Sequence, residues 1–347
     1  MNRLLQITLL GLALLVAHPA LAQEDVATFG DGRTQIKLHS TTDIGIVAPV
    51  MQDFVSANPD LSIRYEQWGS NDLFANSGDA CEGRREPADA VWSSAVQQMV
   101  WLVNAACAHA YHSSLTTALP PERRWRDEVW GITEEPAVII YNKRAISGDD
   151  VPRSRFDLLD MMRARPEFLG GRIATYDIDE SGLGYLFAHI DSLEATSFGA
   201  MIESFARVGA VATCCSNEII DAVAEGRFLL AYNVLGSYVS QELDPDVGVV
   251  LPEDYTLILS RAYMIPKGAA QTAGAERLLD FLLSATAQEG LSRAGLTMIS
   301  DREQIGLLPS ARRLIALSPA LLVALDRHRR ADLFTYWQDA FDSDRAD

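Results

Sequence analysis

The spacing of apolar residues changes within the segment 34–54. Ile36 and Leu38 alternate with polar residues, which predicts a strand, whereas the apolar positions up to Phe54 recur every three or four residues, which predicts an amphipathic helix. Between the two lies the loop Ser40-Thr41-Thr42-Asp43. Free N–H groups and the positive end of the helix dipole favour a small polar or anionic ligand beside such a loop. The alternative is that these side chains only cap the helix.

The same order of strand, small hydroxyl residues and helix returns twice. Residues 88–92 predict a strand followed by Ser93-Ser94, and residues 172–176 predict a strand that leads through Ser181-Gly182 into a helix. Alternation of strands and helices is typical of α/β units on a parallel sheet. Because ligands gather at the carboxyl ends of strands in such sheets, the three junctions predict one cleft.

Other periodic segments extend this α/β pattern along the chain. Strands are expected at 61–65, 129–133, 137–142, 228–233, 247–251 and 257–265, and helices at 155–165, 197–208, 219–225, 274–283, 288–294 and 318–341. Residues 23–33 are polar and contain glycine, which predicts a loose N-terminal segment.

Aromatic and amide side chains stand near two of these strand ends. Tyr141 closes one strand, and Tyr232-Asn233 closes another that is followed by Ser237-Tyr238. Tyrosines suit a pocket wall because they combine a ring with a hydroxyl group. We therefore expect these residues to line the cleft with the hydroxyl residues of the three junctions, although ordinary core packing is the alternative for each tyrosine.

The first residues have the form of a secretory signal peptide. A basic start at Arg3 precedes an apolar run from Leu4 to Ala17 and a small-residue site that ends at Ala22. The run is too short for a membrane span, and no cysteine follows it to carry a lipid. Cleavage is expected near Ala22, which leaves an exported chain.

Length and charge narrow the class of partner. About 325 of the 347 residues remain after the first 22, which predicts two domains or lobes. The formal net charge of −18 argues against nucleic acid, because phosphate backbones need a basic face. A small anion is not excluded, since the field of one site differs from the net charge.

The four cysteines fit an oxidising compartment. Cys81 and Cys107 are expected to form a disulfide that closes the segment between them. Cys214 and Cys215 are adjacent, so a strained bridge, two thiols and pairing elsewhere all stay open. Because the histidines are scattered and no Cys-x-x-Cys occurs, no metal site is expected.

The catalytic motifs we sought are absent. The sequence has no Gly-x-Ser-x-Gly elbow, no His-Glu-x-x-His and no phosphate loop. A binding protein without enzymatic activity or cofactor is therefore expected. A secreted serine hydrolase is the alternative, with Ser181 at a helix N-terminus as its nucleophile.

Several motifs together resemble a known family. The opening Ser-Thr-Thr-Asp junction, ADAVWSSA, Ile-Ile-Tyr-Asn-Lys, DESGLGYL, EGRFLLAYNVLGSY and MIPKGAAQTAGAERLLDFLLSATAQEGL follow the order seen in periplasmic solute-binding proteins of ABC transporters. The similarity is greatest to the ferric-iron-binding-like branch, which also includes binders of phosphonates and sugar phosphates.

This resemblance implies an α/β, two-lobed, type II periplasmic-binding-protein fold with a ligand cleft between the lobes. Lobe one is expected at 34–136 plus 260–347 and lobe two at 140–250, with hinge crossings near 136–142 and 250–259. The helical tail is expected to pack on lobe one, with partner docking as the alternative. The resemblance also implies a periplasmic location, a monomer and hinge closure on a small-molecule ligand.

The sequence departs from the iron-binding members at one strand end. Those members hold iron with two adjacent tyrosines, a histidine and an acid, whereas this chain has Tyr232-Asn233, with His39 near the early histidine. Ferric iron favours several anionic oxygen ligands. An organic phosphate, phosphonate or carboxylate is therefore expected, with ferric iron as the alternative. The expected partner is an ABC permease or, in a variant role, a membrane sensor kinase.

Overall fold

The structure is a computed structural model that describes residues 23–239, 245–297 and 311–341. The expected signal peptide lies outside these residues. None of the helices in the described ranges has the length and apolar character needed to cross a membrane.

Strands and helices alternate along most of the chain. The strands are β1 (Gln23–Phe29), β2 (Thr34–Ser40), β3 (Leu61–Trp68), β4 (Ala90–Ser93), β5 (Arg124–Trp125), β6 (Val129–Gly131), β7 (Glu135–Asn142), β8 (Ile173–Tyr176), β9 (Val211–Thr213), β10 (Leu230–Leu235), β11 (Val247–Val250), β12 (Thr256–Leu259), β13 (Ala262–Met264) and β14 (Arg312–Leu314). The helices are α1 (Ile44–Ala57), α2 (Ser70–Cys81), α3 (Val96–Asn104), α4 (Ser114–Ala118), α5 (Arg155–Ala164), α6 (Pro166–Leu169), α7 (Gly182–Glu194), α8 (Phe198–Arg207), α9 (Ser216–Glu225), α10 (Thr272–Leu283), α11 (Ala285–Arg293) and α12 (Arg327–Phe341).

Two sheets organise these elements into two lobes, which confirms the predicted fold class. The sheet of the first lobe has the order β1-β3-β2-β4-β13-β6-β5, and that of the second lobe has the order β14-β12-β7-β10-β8-β9, with β11 paired to β7. Strands β2, β3 and β4 are parallel to one another, as are β8, β9 and β10. The carboxyl ends of each parallel group therefore share one edge of their sheet.

The N-terminal segment is ordered, contrary to the prediction of a loose stretch over residues 23–33. Strand β1 pairs antiparallel with β3, and Phe29 at its end packs edge-on against Tyr65. The strand is mostly exposed, so its own apolar content does not predict it. Pairing with the edge of an existing sheet supplies the backbone hydrogen bonds that order it.

The chain passes between the two sheets three times: twice through short segments, which we call the two passages, and once more between β13 and β14. Strand β6 belongs to the first sheet and β7 to the second, so the first passage spans residues 132–134. The apolar run 257–265, expected as one strand, is split into β12 and β13 on different sheets, and the second passage is Ser260-Arg261. Both passages lie outside the ranges expected for the crossings, 136–142 and 250–259. Those ranges contain strands of the second sheet. The strand pattern does not reveal where the chain crosses, because strand propensity is the same on either side of a crossing.

The predicted tail divides between the lobes: Pro319–Leu325 contacts α3 of the first lobe, as predicted, whereas α12 packs on the second lobe, contrary to the prediction. Leu333 and Trp337 of α12 are buried in one core with Met201 and Phe205 of α8. The hydroxyl of Tyr336 also donates to the carbonyl of Gly199. The amphipathic pattern of the tail predicted a packed helix, but the face that receives it depends on the path of the chain.

The predicted disulfide between Cys81 and Cys107 is confirmed, with the two Cα atoms 5.2 Å apart. The bond ties the C-terminal end of α2 to the chain just after α3. Cys214 and Cys215, left open by the sequence, are bonded to each other.

Replacing Cys81 and Cys107 by serine is expected to lower the free energy of unfolding by about 3 kcal/mol. The bond closes a loop with a sequence separation of 26, and its loss restores the entropy of that loop to the unfolded chain. Urea unfolding measures the change. The double variant Cys214→Ser/Cys215→Ser is the control, because its bond closes no chain loop; equal losses in both variants would contradict the explanation.

Candidate functional site

Two of the predicted junctions meet within the first lobe. The hydroxyl oxygens of Thr41, after β2, and Ser94, after β4, are 3.1 Å apart, and the backbone N–H of Ser94 donates to the Thr41 hydroxyl at 2.9 Å. The parallel pairing of β2 with β4 explains this proximity, because it places their carboxyl ends side by side.

The third junction approaches them from the second lobe. The amide of Gln97 donates to the carbonyl of Gly182 at 2.7 Å, and the N–H of Gly182 donates to the Ser70 hydroxyl at 2.9 Å. The side-chain amide of Asn71 donates to the carbonyls of Asp179 and Glu180, each at 2.9 Å. The N-terminus of α7 thus lies directly against α2 and α3, and the two lobes are in contact.

Glycine at position 182 permits this close approach. A Cβ atom there would lie 2.7 Å from the amide nitrogen of Gln98 and 3.1 Å from the Cβ of Ala95. Both distances are shorter than ordinary van der Waals contact. A larger residue would therefore separate α7 from α3.

The junction serines cap their own loops. Ser40 accepts from the N–H of Thr42 at 3.1 Å, Ser93 from that of Ala95 at 3.2 Å, and Ser181 from that of Gly184 at 3.0 Å. In this conformation these three N–H groups are not available to a ligand. The capping alternative therefore holds for Ser181, which is the N-cap of α7, whereas Ser40 and Ser93 bond within the loops before α1 and α3. The loops that carry the three serines still meet where the lobes touch.

A buried ion pair lies where the chain passes between the sheets. The guanidinium of Arg261 donates to both carboxylate oxygens of Glu135, at 2.8 and 3.0 Å, and neither side chain is exposed to solvent. Arg261 also donates to the Thr42 hydroxyl at 2.9 Å. Glu135 accepts from the hydroxyls of Thr133 and Ser237, each at 2.6 Å. The pair thus connects the two passages to a junction loop of the first lobe and to the loop after β10.

Tyr238 lies beside this ion pair. The guanidinium carbon of Arg261 is 5.4 Å from the centre of the tyrosine ring. Burial raises the pKa of the Tyr238 hydroxyl, so the phenol is neutral at physiological pH. Ser237 and Tyr238, both predicted site residues, therefore lie at the passage between the lobes.

Tyr232 and Asn233 lie inside the second lobe, not in the cleft as predicted. The hydroxyl of Tyr232 and the amide of Asn233 both donate to the same oxygen of Asp191, each at 2.6 Å. Arg155 and Tyr255 bind the other oxygen of that carboxylate, at 3.3 and 2.6 Å. This cluster is buried and satisfies the Asp191 charge, so it holds the second lobe together.

A backbone irregularity explains how Tyr232 and Asn233 reach one carboxylate. Adjacent residues of a regular strand point to opposite faces of the sheet. In β10 the pairing with β7 shifts between Ala231 and Val234, and Asn233 has a φ of 58°. The bulge turns Asn233 toward the face that Tyr232 occupies.

Tyr141 also lies away from the predicted cleft. It stands near the carboxyl end of β7, where its ring packs against Gly248 of β11. Because β7 is antiparallel to β10, its carboxyl end lies at the edge opposite Ser237. The prediction treated all strand ends alike, which holds only for parallel strands.

Asp43, the last residue of the first junction loop, takes part in the contact between the lobes. Its side chain makes no capping hydrogen bond to α1. One carboxylate oxygen accepts from Gln67 of the same lobe at 2.7 Å, and the other from Asn217 of α9, in the second lobe, at 2.5 Å. Burial is the main cause that raises the pKa of Asp43 above its ordinary value.

His39 lies within the first lobe and not at the contact between lobes. It stacks on Trp68, and its Nε2 atom is 3.1 Å from a carboxylate oxygen of Glu66. The contact with His39 is the main cause that lowers the pKa of Glu66 to about 2. In the described ranges, no three His, Cys, Asp or Glu side chains are grouped to hold a metal ion.

Replacing Glu66 by glutamine is expected to reduce the loss of stability in acid. The Glu66 carboxylate has an ordinary pKa of 4.5 and a folded-state value of about 2, so its stabilising effect is present above pH 4.5 and is lost as the pH falls toward 2. Urea midpoints measured between pH 5 and 3 test this. Asp53→Asn, at an exposed position, is the control. Parallel pH profiles of the urea midpoint for Glu66→Gln and wild type would contradict the expected effect of Glu66.

Comparison with known proteins identifies the family. Residues 103–305 match the family model of bacterial extracellular solute-binding proteins. The substrate-binding protein of an ABC transporter from Agrobacterium tumefaciens is 30% identical, with a TM-score of 0.85 over 93% of this chain and 100% of that chain. The chain belongs to the bacterial extracellular solute-binding protein family. It is a periplasmic solute-binding component of an ABC transporter.

More distant structures share the fold. AfuA from Actinobacillus pleuropneumoniae, with fructose-6-phosphate bound, is 16% identical with a TM-score of 0.68 over 90% of this chain and 100% of that chain. Iron-bound HitA from Pseudomonas aeruginosa is 17% identical with a TM-score of 0.66 over 88% and 99%. No curated protein was found with significant similarity to the chain.

Proposed function

We propose that this protein captures a small polar solute between its lobes by hinge closure and delivers it to an ABC importer. The contact of Gln97 with Gly182 across the lobes carries the proposal, because it joins a junction loop of each lobe. A solute that contacts both lobes stabilises the closed state over the open one.

The proposed hinge consists of the two passages, residues 132–134 and Ser260-Arg261. On this proposal the first lobe comprises the first sheet and its helices, and the second lobe comprises the second sheet together with α12. The Arg261–Glu135 pair lies between them and is bonded to Thr42 on one side and Ser237 on the other. Hinge closure of this kind rotates each lobe as a rigid body.

The proposed solute class is an organic phosphate, phosphonate or carboxylate. Helices α1, α3 and α7 each begin at a junction loop near the lobe contact, and helix N-termini favour anionic groups. AfuA, which shares the fold, has a sugar phosphate bound in its structure. In an open form, rotation of serine side chains away from their caps would free N–H groups for such a solute.

A thermal-shift screen of the purified mature protein tests the proposal. The panel contains phosphate esters, phosphonates, di- and tricarboxylates, sugars, polyamines and ferric citrate. A solute that binds only the folded state raises the melting temperature by mass action. A shift with an organic solute supports the proposal. A shift with ferric citrate alone favours an iron binder, and no shift together with turnover of a chromogenic ester favours a hydrolase.

A further inference from the structure

We propose that the Cys214–Cys215 disulfide is a site of thiol–disulfide exchange with a partner that carries two thiols, and that its reduction weakens the contact between the lobes. The exchange itself is a property of the free protein. Its effect on solute capture rests on the proposed function, because it acts on closure of the same cleft.

The disulfide lies in the turn between β9 and α9, at the edge of the second lobe that touches the first. Strand β9 is parallel to β8, so the carboxyl ends of the two strands lie side by side. The N–H of Asp177, which follows β8, donates to the carbonyl of Thr213 at 2.9 Å. Just beyond the disulfide, the side chain of Asn217 donates to Asp43 of the first lobe at 2.5 Å. The two cysteines therefore connect a junction of the second lobe to a contact with the first.

The disulfide is accessible to a dithiol. Cys215 is exposed and Cys214 is partly exposed. Cys215 is also the N-cap of α9, where the positive end of the helix stabilises the thiolate that leaves when the bond is broken. Cys107 of the other disulfide is 4% exposed, so attack on Cys81 would release a thiolate into a buried site, at a high desolvation cost. We therefore expect a dithiol to reduce the Cys214–Cys215 bond first.

The exchange takes place in two steps. A thiolate of the partner attacks the sulfur of Cys214, a mixed disulfide forms, and the Cys215 thiolate leaves and takes up a proton. The partner's second thiol, as a thiolate, then attacks the partner's own sulfur in the mixed disulfide and releases Cys214, which is protonated in turn. The protein disulfide has gained two electrons and two protons, and the partner dithiol has been oxidised to a disulfide.

The backbone of Cys215 links this exchange to the lobe contact. Its φ of 75° lies in the left-handed region, which residues with a Cβ atom rarely adopt. The bond to the adjacent residue restricts the backbone between the two cysteines, and reduction removes this restriction, so that Cys215 can adopt a negative φ. The carbonyl of Cys215 accepts from the N–H of Ile219 at 3.2 Å in the first turn of α9. A change at Cys215 thus reorients that turn and draws Asn217 away from Asp43.

Titration with dithiothreitol tests the exchange without any solute. Alkylation of free thiols followed by peptide mass spectrometry gives the redox state of each pair, and we expect Cys214–Cys215 to be reduced while Cys81–Cys107 is still bonded. Amide hydrogen exchange of the peptide that contains Ile219 is expected to become about tenfold faster on reduction. Reduction of both bonds together, or unchanged amide exchange, overturns the proposal.

Two variants test whether the backbone of Cys215 transmits the effect. Cys214→Ser/Cys215→Ser imitates the reduced protein, whereas in Cys214→Ser/Cys215→Gly the glycine adopts the φ of 75° without a bond. Isothermal titration with glycerol-3-phosphate, ethylphosphonate and citrate measures solute affinity. We expect about tenfold weaker binding in the reduced wild type and in the serine variant, and affinity close to that of the oxidised wild type in the glycine variant. Dithiothreitol should change the affinity of neither variant, which excludes Cys81–Cys107 as the cause.

Equal solute affinity of the oxidised and the reduced wild type overturns control of the lobe contact and leaves the proposed function standing. Equal affinities of the serine and glycine variants overturn the role of the Cys215 backbone. If none of these probes and no solute of the wider panel binds, the proposed function itself fails, and alkylation and amide exchange still decide whether the disulfide is an exchange site.

Discussion

Replacing Arg261 by alanine is expected to lower the free energy of unfolding by about 3–5 kcal/mol, the typical cost of leaving a buried charge without its partner. The variant leaves the unexposed Glu135 carboxyl group without its cation and supported only by the hydroxyls of Thr133 and Ser237. It also removes the donor that holds the Thr42 hydroxyl. Urea unfolding at neutral pH gives the stability change, and the solute affinity of the folded fraction reports on the loop at Thr42.

Two further variants test whether the loss of stability comes from leaving a buried charge unpaired or from removing any arginine side chain. Arg261→Met/Glu135→Leu removes both charges at similar volume. This double variant is expected to recover much of the lost stability, because packed apolar side chains avoid the cost of removing two charges from water. Arg312→Ala removes a partly exposed cation that donates to Glu134 at 3.2 Å, and it is expected to cost less than about 1 kcal/mol. A loss in Arg261→Ala no larger than that in Arg312→Ala would show that the buried pair does not stabilise the fold.

The strand and helix periodicity predicts most of the framework. Strand β2 and helix α1 lie where the change of spacing before and after Ser40 places them. Such elements are fixed by which of their own residues face the core, so local sequence is sufficient. Their assignment to a sheet is not local. The split of 257–265 between two sheets, the pairing of β1 and the packing of α12 depend on where distant segments lie.

The lobe contact was partly predictable because parallel strands present their carboxyl ends together. That rule places Thr41 beside Ser94, and the structure joins them by hydrogen bonds. It does not apply to Tyr141, which ends an antiparallel strand, or to Asn233, which a bulge turns into the core. Arg261 and its partner Glu135 were not among the predicted site residues. A charged residue between two apolar runs, as in 257–265, is a sequence signal for such burial.

Replacing Gly182 by leucine is expected to weaken solute binding by about a thousandfold, or about 4 kcal/mol. Even a Cβ atom at this position lies 3.1 Å from the Cβ of Ala95, and a leucine side chain needs the space that Gln98 fills. The variant can fold, since each lobe keeps its own core, but the lobes cannot come into the contact described here. The solute then touches one lobe only, and the affinity that closure supplies is lost.

Affinity and shape together distinguish blocked closure from unfolding. Small-angle X-ray scattering of the wild type with a saturating solute from the screen should show a smaller radius of gyration than the free protein, whereas Gly182→Leu should show no change. Gly78→Leu is the matched control, because a Cβ at that helical position meets no atom within 4 Å. Gly182→Ala should lie between the two, since the side-chain ends of Gln98 and Asn71 can move by a few tenths of an ångström. Wild-type affinity in Gly182→Leu would mean that the solute binds without this contact, and hinge closure at α7 would have to be abandoned.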